Sequence, residues 1–424
     1  MFWRLFYNSV IVPLGWIGFH LLSLMNQKVN RGIRGRKHLF DDLEKNVRRL
    51  DLSSKSIWFH SSSLGEFEQA KPIIAELKRR CPEIKIIVSF FSPSGYEHSK
   101  NYKLADVITY LPFDSYRNAE RFVALIQPSA AIFLRYDVWP NHLWAAQRRN
   151  IPTFIASATL QSKTARSFPV IHQFFAALYN NIDYILTVSQ NDRQIFELLK
   201  PQHSQVEVIG DTRYDQVLRR SEESKSRQLI AAKVLEHRKV FVVGSSWVED
   251  EEQLLPACFS LIAKHPEILV IIVPHEPTLE HLERLENELN GHATHIRFSE
   301  INDYRNEQFV IVDSVGLLMA LYQYASVAYV GGSFGKGIHN VLEPAAYGVP
   351  MIFGPNYANS QEAARCVKEG IAMAAHDAEE LLSGLQRLFE NDALRQQAGG
   401  KARTLVMSNA GATERFLSYL EKVL

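Results

Sequence analysis

The chain has 424 residues, 46% of them hydrophobic and 22% charged, with a formal net charge of +1. This length exceeds what one hydrophobic core usually organises, so two domains are expected. The near-neutral charge gives no indication of a nucleic-acid partner. Cys81, Cys258 and Cys366 lie far apart without C-x-x-C spacing. That spacing predicts neither a disulfide framework nor a zinc site and is typical of a reducing compartment.

The first 38 residues are predicted to form a membrane-associated segment. Arg4 is the only charged residue up to position 25, and basic residues then gather at Lys28, Arg31, Arg34, Arg36 and Lys37. Positive charge after the apolar run argues against a cleaved signal peptide and favours a cytoplasmic location for the rest of the chain. Asn8, Pro13 and His20 weaken a full span, so a span and an interfacial helix both stay open. A buried first helix of the folded domain is a third alternative.

Short apolar segments with strand character alternate with helical segments along the chain. They lie at 56–60, 85–90, 130–134, 152–156 and 184–188, then at 240–243, within 268–275, within 309–316, and at 329–332 and 351–354. This alternation predicts two doubly wound α/β domains facing across a cleft, each with helices on both faces of a parallel sheet.

The predicted domain boundaries follow breaks in this alternation. Residues 39–209 form a first Rossmann-like domain, 210–235 a polar linker and 236–410 a second Rossmann-like domain. A C-terminal helix is predicted at 411–424, with Thr413 as its N-cap.

A glycine-rich turn follows the strand at 329–332 and leads into a helix predicted to open at about 339–340. Free backbone N–H groups at such a helix N-terminus form an anion site. The turn is not a Walker A loop, because Lys336 precedes glycine, and it lacks G-x-G-x-x-G spacing. Glu343 is placed to bind ribose hydroxyls. The alternative is a tight turn with a capping glutamate; we favour a nucleotide-sugar site.

Polar residues also follow other strand ends, where ligands of parallel sheets bind. Residues 61–66 and 135–141 occupy such ends in the first half. Ser245 and Ser246 do so in the second half, either as hydroxyl donors to an anion or as helix caps. Arg213 either meets an anionic ligand or forms an ordinary salt bridge.

Four motifs occur in the order found in Kdo transferases, and the resemblance covers nearly the whole chain. They are His-Ser-Ser-Ser-Leu-Gly-Glu at 60–66, Trp-Pro-Asn at 139–141, Gly-Asp-Thr-Arg-Tyr-Asp at 210–215 and His-Asn-Val-Leu-Glu-Pro at 339–344. These membrane-associated glycosyltransferases move 3-deoxy-D-manno-octulosonic acid (Kdo) from CMP-Kdo to a lipid A precursor. The resemblance implies a GT-B fold, with acceptor lipid on the first domain and CMP on the second. It also implies lipopolysaccharide biosynthesis at the cytoplasmic face of the inner membrane.

The resemblance implies that Glu66 is the catalytic base, and a carboxylate at a strand end can take the proton of an attacking hydroxyl. The alternative is a first-turn glutamate favoured by the helix dipole. The predicted acceptor-binding residues are Ser62, Ser63, Gly65, Arg135 and Asp137. The predicted donor-binding residues are Ser245, Ser246, His275, Gly316, Gly332, Ser333, His339, Asn340 and Glu343. For His339 and His275, the alternative to donor binding is a structural role. No Asp-x-Asp follows a strand, so neither a metal nor another cofactor is expected.

Three positions depart from the family pattern. Many members have Glu-x-Glu before Trp-Pro-Asn, where this chain has Arg-Tyr-Asp at 135–137. Many have Arg-His-Pro where Pro-His-Glu stands at 274–276, and a glycine where Ile338 stands. Because Glu66 and Glu343 remain, we interpret the chain as a divergent enzyme.

Two other functions stay open. Another GT-B transferase or epimerase that uses a UDP-sugar has a similar glycine turn and ribose-binding glutamate. A catalytically silent homologue would bind the lipid precursor and release no CMP, since a fold does not fix a function.

Overall fold

The structure of the protein, a computed structural model, describes residues 2–50, 54–160 and 169–424. The chain divides into two compact units. The first comprises Met1–Gln216 and Ala410–Leu424, and the second comprises Val217–Asn409. The C-terminal segment therefore belongs to the first unit.

A seven-stranded parallel sheet forms the centre of each unit. The first sheet contains β1 (Ser56–Ser61), β2 (Lys85–Phe90), β3 (Val107–Tyr110), β4 (Ala130–Leu134), β5 (Thr153–Ala158), β6 (Tyr184–Thr187) and β7 (Gln205–Val208). The second contains β8 (Lys239–Ser246), β9 (Ile268–Pro274), β10 (His295–Arg297), β11 (Phe309–Ile311), β12 (Val327–Val330), β13 (Met351–Phe353) and β14 (Ala372–Ala374).

Helices connect the strands. From the N-terminus they are α1 (Phe2–Phe6), α2 (Val12–Met25), α3 (Gln27–Gly35), α4 (Leu39–Val47), α5 (Leu64–Arg80), α6 (Pro93–Ser99), α7 (Tyr116–Ile126), α8 (Pro140–Arg148), α9 (Pro169–Tyr179), α10 (Gln190–Glu197) and α11 (Thr212–Lys225). They continue with α12 (Ala232–Leu235), α13 (Val248–Lys264), α14 (Leu279–Leu289), α15 (Leu318–Leu321), α16 (Leu342–Ala346), α17 (Gln361–Lys368), α18 (Ala378–Glu390), α19 (Asp392–Asn409) and α20 (Ala412–Leu420). A π-helical turn, Tyr7–Ile11, joins α1 to α2, and 3-10 helices occupy Phe298–Asp303 and Tyr322–Tyr324.

The strand orders are β3-β2-β1-β4-β5-β6-β7 and β10-β11-β9-β8-β12-β13-β14. The predicted doubly wound α/β architecture is confirmed, and every inner strand matches a predicted segment. The four strands absent from the prediction are β3, β7, β10 and β14, which are the edges of the two sheets. Edge strands are short and less completely buried, so their sequences lack the continuous apolar run that marks the inner strands.

The N-terminal helical segment differs from the rest of the fold in its exposure. Phe2–Met25 is long and apolar enough to cross a membrane, by length and composition. Its large exposed apolar side chains are Phe2, Leu5, Val10, Ile11, Leu14, Trp16, Ile17, Leu21, Leu22, Leu24 and Met25. The alternative of a buried first helix is therefore wrong.

A buried polar network attaches this segment to the first unit. Tyr7 donates its hydroxyl proton to Asp114 Oδ2 at 2.8 Å, and Asn8 forms a side-chain hydrogen bond with Asn141 at 2.9 Å. The same Asp114 carboxylate accepts the backbone N–H groups of Asn141 and His142. The asparagine of the Trp-Pro-Asn motif thus joins the N-terminal helix to the start of α8.

Arg36 joins the end of α3 to the sheet and does not extend into solvent. Its guanidinium donates to the backbone carbonyls of Gly32, Leu111 and Phe91 at 2.7, 2.8 and 2.7 Å. Burial lowers the pKa of Arg36 to about 10. Of the basic cluster, Lys28, Arg31, Arg34 and Lys37 are exposed.

Asp215 fixes the C-terminal helix. Its carboxylate accepts the backbone N–H groups of Gly411 and Thr413 at 2.6 and 2.7 Å. Gly411 is the N-cap of α20, with a left-handed φ of 93°. The predicted Thr413 cap is therefore wrong, and the motif at 210–215 supplies the cap from a distant part of the chain. Arg213 forms an ion pair with Asp211 at 2.6 Å.

We expect Arg36→Met to destabilise the first unit by about 3 kcal/mol or more, because three buried carbonyl groups lose their donor. Arg34→Met, an exposed neighbour on the same helix, should change stability by less than about 0.5 kcal/mol. Unfolding followed by circular dichroism in mild detergent measures both. Equal stability of the two variants would contradict the anchoring role of Arg36.

Candidate active site

The first candidate site lies where the strand order of the first sheet changes direction. Strands β1 and β4 are neighbours there, although β2 and β3 lie between them in the sequence. Ligands of open α/β sheets bind at the carboxyl ends of strands at such a point. The predicted segments 61–66 and 135–137 both begin at this edge.

Glu66 is held in the first turn of α5. One carboxylate oxygen, Oε2, accepts the backbone N–H groups of Ser62 and Ser63 at 2.7 and 3.1 Å. Ser63 is the N-cap and completes a capping box with Glu66. Glu66 is 8% exposed. The helix-capping alternative and a catalytic role are therefore compatible, because within the described part of the chain the other oxygen, Oε1, accepts no hydrogen bond.

A buried chain of polar side chains lies next to Glu66. Trp58 Nε1 donates to Ser89 Oγ at 2.8 Å, and the same Oγ lies 2.9 Å from His60 Nδ1. His60 Nε2 lies 3.2 Å from Asp137 Oδ2. His60 is fully buried. These contacts hold the His60 ring beside Asp137.

The pKa values of the two carboxyl groups of this site, Glu66 and Asp137, are shifted in opposite directions. Burial and the nearby Asp137 raise the pKa of Glu66, against the backbone donors of Ser62 and Ser63. Burial alone would raise the pKa of Asp137, but its interactions with His60, Ser62 and Trp139 outweigh burial and lower it. Opposed shifts in adjacent carboxyl groups are typical of acid–base sites.

The remaining predicted acceptor residues lie at this edge. Arg135 has a left-handed φ of 61° and donates through Nε to Thr159 Oγ1 at 3.3 Å. Gly65 is exposed, and a Cβ added to it would meet nothing within 4 Å. Since no neighbouring atom requires a glycine at this position, the missing side chain leaves room for the close approach of a ligand.

The glycine-rich turn of the second unit is organised by a buried carboxylate. Asp250 accepts the backbone N–H groups of Gly332 and Phe334 at 2.7 and 3.2 Å, and the hydroxyl proton of Tyr329 at 2.7 Å. These two N–H groups are therefore engaged inside the protein, and the anion site expected at the start of the following helix stays a prediction. The helix also begins later than predicted, at Leu342.

The two serines that end β8 differ completely in environment. Ser246 is fully buried and donates to Glu251 Oε1 at 2.7 Å. Ser245 is partly exposed and has a left-handed φ of 54°. Neither caps α13, whose N-cap is Trp247. The geometry favours Ser245 as the contact for a ligand and a structural role for Ser246.

The side chain of Ser333 is not accessible to a ligand. It is fully buried, donates to the Val330 carbonyl at 3.2 Å and accepts the Gly354 N–H at 2.7 Å. Gly332 has a φ of 86°, and a Cβ there would lie 2.4 Å from the Gly337 carbonyl oxygen. Both residues shape the turn, so the geometry favours a structural role for them over direct donor contact.

Three rings form a stack at the carboxyl ends of β8, β9 and β12. The centroids of Trp247 and His275 are 4.6 Å apart, and those of His275 and His339 are 4.4 Å apart. Trp247 Nε1 donates to His339 Nε2 at 2.8 Å. Burial and His275 lower the pKa of His339. His275 is exposed, so the stack brings both predicted histidines to the surface of the site.

The other predicted donor residues lie around this stack or farther along the same sheet. The Asn340 Oδ1 accepts the Leu342 N–H at 3.1 Å. Within the described residues, the backbone N–H groups of Asn340 and Val341 have no hydrogen-bond partner. Glu343 lies 3.6 Å from Arg220 Nη1. Gly316 is exposed after β11, with a φ of 82°.

Three residues of these sites were missed as site residues by sequence reasoning: His60, Trp247 and Asp250. His60 ends an apolar strand and reads as part of it. Asp250 carried a usable signal, because an acidic residue in the first turn of a helix after a strand is a capping pattern. Trp247 carried none, since its partners His275 and His339 are distant in the sequence.

The fold is that of GT-B glycosyltransferases and related sugar-nucleotide enzymes. The chain is similar to UDP-GlcNAc 2-epimerase from Neisseria meningitidis, with a TM-score of 0.60 and 12% identity over 87% of this chain and 100% of that one. It is also similar to a putative UDP-N-acetylglucosamine 2-epimerase from Listeria monocytogenes, with a TM-score of 0.57, 12% identity and coverage of 87% and 96%. These similarities establish the fold.

Sequence relatives define the family. The model of the 3-deoxy-D-manno-octulosonic-acid transferase (kdotransferase) family matches residues 34–216. The chain is 27% identical to 3-deoxy-D-manno-octulosonic acid transferase from Haemophilus influenzae, over 100% of this chain and 99% of that protein. It is 30% identical to a probable mitochondrial 3-deoxy-D-manno-octulosonic acid transferase from Arabidopsis thaliana, over 70% and 68%. The chain belongs to the Kdo transferase family and is a glycosyltransferase.

We expect Gly65→Ala to leave the fold intact or stabilise it by about 0.5–1 kcal/mol, because alanine is a better helix former and its methyl group meets open space. Transfer activity should nevertheless fall at least about tenfold, since the methyl group would occupy the approach to Glu66. Thermal unfolding and initial rates measure the two effects. Unchanged activity would show that no substrate group comes within reach of Gly65.

The serine pair at the end of β8 gives a second prediction. Ser245→Gly removes the hydroxyl while suiting the left-handed backbone, so we expect weaker nucleotide binding with unchanged stability. Ser246→Ala should instead cost about 1–2 kcal/mol of stability, because buried Glu251 loses a donor. Calorimetric titration with CMP and thermal unfolding separate the two effects. Loss of CMP binding in Ser246→Ala alone would reverse the assignment.

Proposed function

We propose that the protein transfers Kdo from CMP-Kdo to a hydroxyl group of a lipid A precursor, lipid IVA, with inversion at the anomeric carbon. The observation that carries the proposal is the buried Glu66 at the β1–β4 edge, with a raised pKa and one oxygen that accepts no hydrogen bond from the described residues. The family membership supplies the transferred sugar. The CMP-Kdo donor, the lipid IVA acceptor and the inversion at the anomeric carbon are our proposals.

Glu66 acts as the base in a single displacement. As the acceptor oxygen forms its bond to the anomeric carbon of Kdo, the hydroxyl proton passes to Glu66 and the bond to CMP breaks. Burial favours this role, because it raises the proton affinity of Glu66 toward the working pH. Asp137, kept ionised beside His60, binds and orients acceptor hydroxyl groups together with Ser62 and Arg135.

The second unit supplies the donor site of the proposal. Ser245 and the backbone N–H groups of Asn340 and Val341 contact the phosphate of CMP. The stacked rings of Trp247, His275 and His339 present an aromatic edge beside it. Glu343 binds the ribose hydroxyls, with Arg220 nearby at 3.6 Å. No metal is assigned to this reaction.

The N-terminal segment places the enzyme at the cytoplasmic face of the inner membrane in this proposal. The apolar segment Phe2–Met25 inserts into the lipid. Exposed basic side chains then bind anionic headgroups; they are Lys28, Arg31, Arg34 and Lys37. Each basic residue near an anionic surface contributes about 1 kcal/mol. Arg36 does not take part, because its guanidinium donates to the backbone carbonyl groups of Leu111 and Phe91.

The test is transfer by the purified protein given CMP-Kdo and tetraacyl lipid IVA in detergent, with mass spectrometry of the product. A product heavier by one or more Kdo units supports the proposal and counts the sugars added. Thermal shifts with CMP and with UDP separate the donor classes, and stabilisation by UDP alone would overturn the CMP assignment. CMP binding without any product would support the silent lipid-binding alternative.

We expect Glu66→Gln to lower kcat about 10²–10⁴-fold without unfolding the protein, because glutamine can still accept the two backbone N–H groups but cannot take a proton. In the wild type, the acid limb of the kcat profile should lie above the range of an exposed glutamate, since burial raises the pKa of Glu66. Rates fall as pH falls through that pKa, and the variant should lack this limb. Near-normal turnover by Glu66→Gln would remove the base assignment.

A further inference from the structure

Three aromatic side chains connect the apolar N-terminal helix to the loop that carries Asp137. Phe19 on α2 packs edge-on against Phe91, with ring centroids 5.7 Å apart. Phe91, directly after β2, stacks on Trp139 with centroids 4.4 Å apart. We name Phe19, Phe91 and Trp139 the aromatic seam. All three side chains are partly exposed.

The seam ends at the candidate catalytic edge. Trp139 precedes α8, two positions after Asp137, and its indole contributes to the low pKa of that carboxyl group. At its other end the seam joins α2, where Phe19 also contacts Phe113 at 5.2 Å. A row of three aromatic rings therefore leads from the exposed helix toward the polar site.

Positive charge flanks the seam on one side. Lys28, Arg31 and Arg34 are exposed on α3. The end of this helix is fixed beside the seam, because the Arg36 guanidinium donates to the Phe91 carbonyl at 2.7 Å and lies 4.7 Å from the centre of the Phe91 ring. The apolar surface and the adjacent cations fit an amphiphile that has hydrocarbon chains and an anionic headgroup.

We propose that the aromatic seam binds a hydrocarbon chain of the lipid acceptor and so guides its sugar hydroxyl to Glu66. The inference rests on the proposed function, because it takes the acceptor to be a lipid. A hydrocarbon chain is the occupant that the continuity with the exposed apolar face of α2 favours. Phe91 and Phe19 are specificity-determining residues in this proposal and do not touch the reacting atoms.

The experiment compares two acceptors, the tetraacyl lipid and its fully deacylated sugar phosphate, with the wild type, Phe19→Ser and Phe91→Leu. We expect both variants to raise KM for the acylated acceptor about tenfold, the size of a lost apolar pocket contact. Their kcat, and all constants for the deacylated acceptor, should stay unchanged. Thermal unfolding temperatures equal to the wild type confirm that both variants are folded.

Phe2→Ser is the matched control, since Phe2 is 68% exposed on the same apolar segment outside the seam. An equal KM increase in Phe2→Ser would show general loss of detergent or membrane affinity and overturn the seam. Equal KM increases for both acceptors would also overturn it. If the wild type uses only the acylated acceptor, a KM increase in both seam variants and not in Phe2→Ser supports the proposal, and unchanged KM values overturn it. Transfer to neither acceptor would refute the proposed function itself, and the seam with it.

Discussion

Buried carboxylates that accept backbone N–H groups hold the functional parts of this structure in place. Glu66, Asp114 and Asp250 each accept two or more N–H groups from segments that follow sheet strands. Asp215 does the same for the start of the C-terminal helix. Hydrogen bonds to a charged group contribute about 1.5–3 kcal/mol each. Because a buried carboxylate without partners is very costly, the buried Glu66, Asp114 and Asp250 each restrict the conformation of the loop whose N–H groups they accept.

In the second unit this arrangement fixes the glycine turn. Asp250 accepts the backbone N–H groups of Gly332 and Phe334, so these two groups are engaged inside the protein. Ser245, the ring stack and the first N–H groups before α16 lie outside this contact.

In the first unit the same principle separates two neighbouring acids. His60, oriented through Ser89, keeps Asp137 ionised, while burial raises the proton affinity of Glu66. Arg135 follows β4 on the same loop as Asp137 and has a left-handed conformation. The loop thus carries one anion and one cation two positions apart.

The sequence by itself determined the α/β class, the inner strands, the apolar character of the N-terminal segment and the motifs that define the family. These features are local or periodic, so they can be read from neighbouring residues. It did not reveal the edge strands, the burial of Ser246 and Ser333, or the left-handed backbone of Ser245 and Arg135. The tertiary structure decided these, because they depend on partners far apart in the chain: Gly332 and Asp250 are separated by 82 positions, and Gly411 and Asp215 by 196.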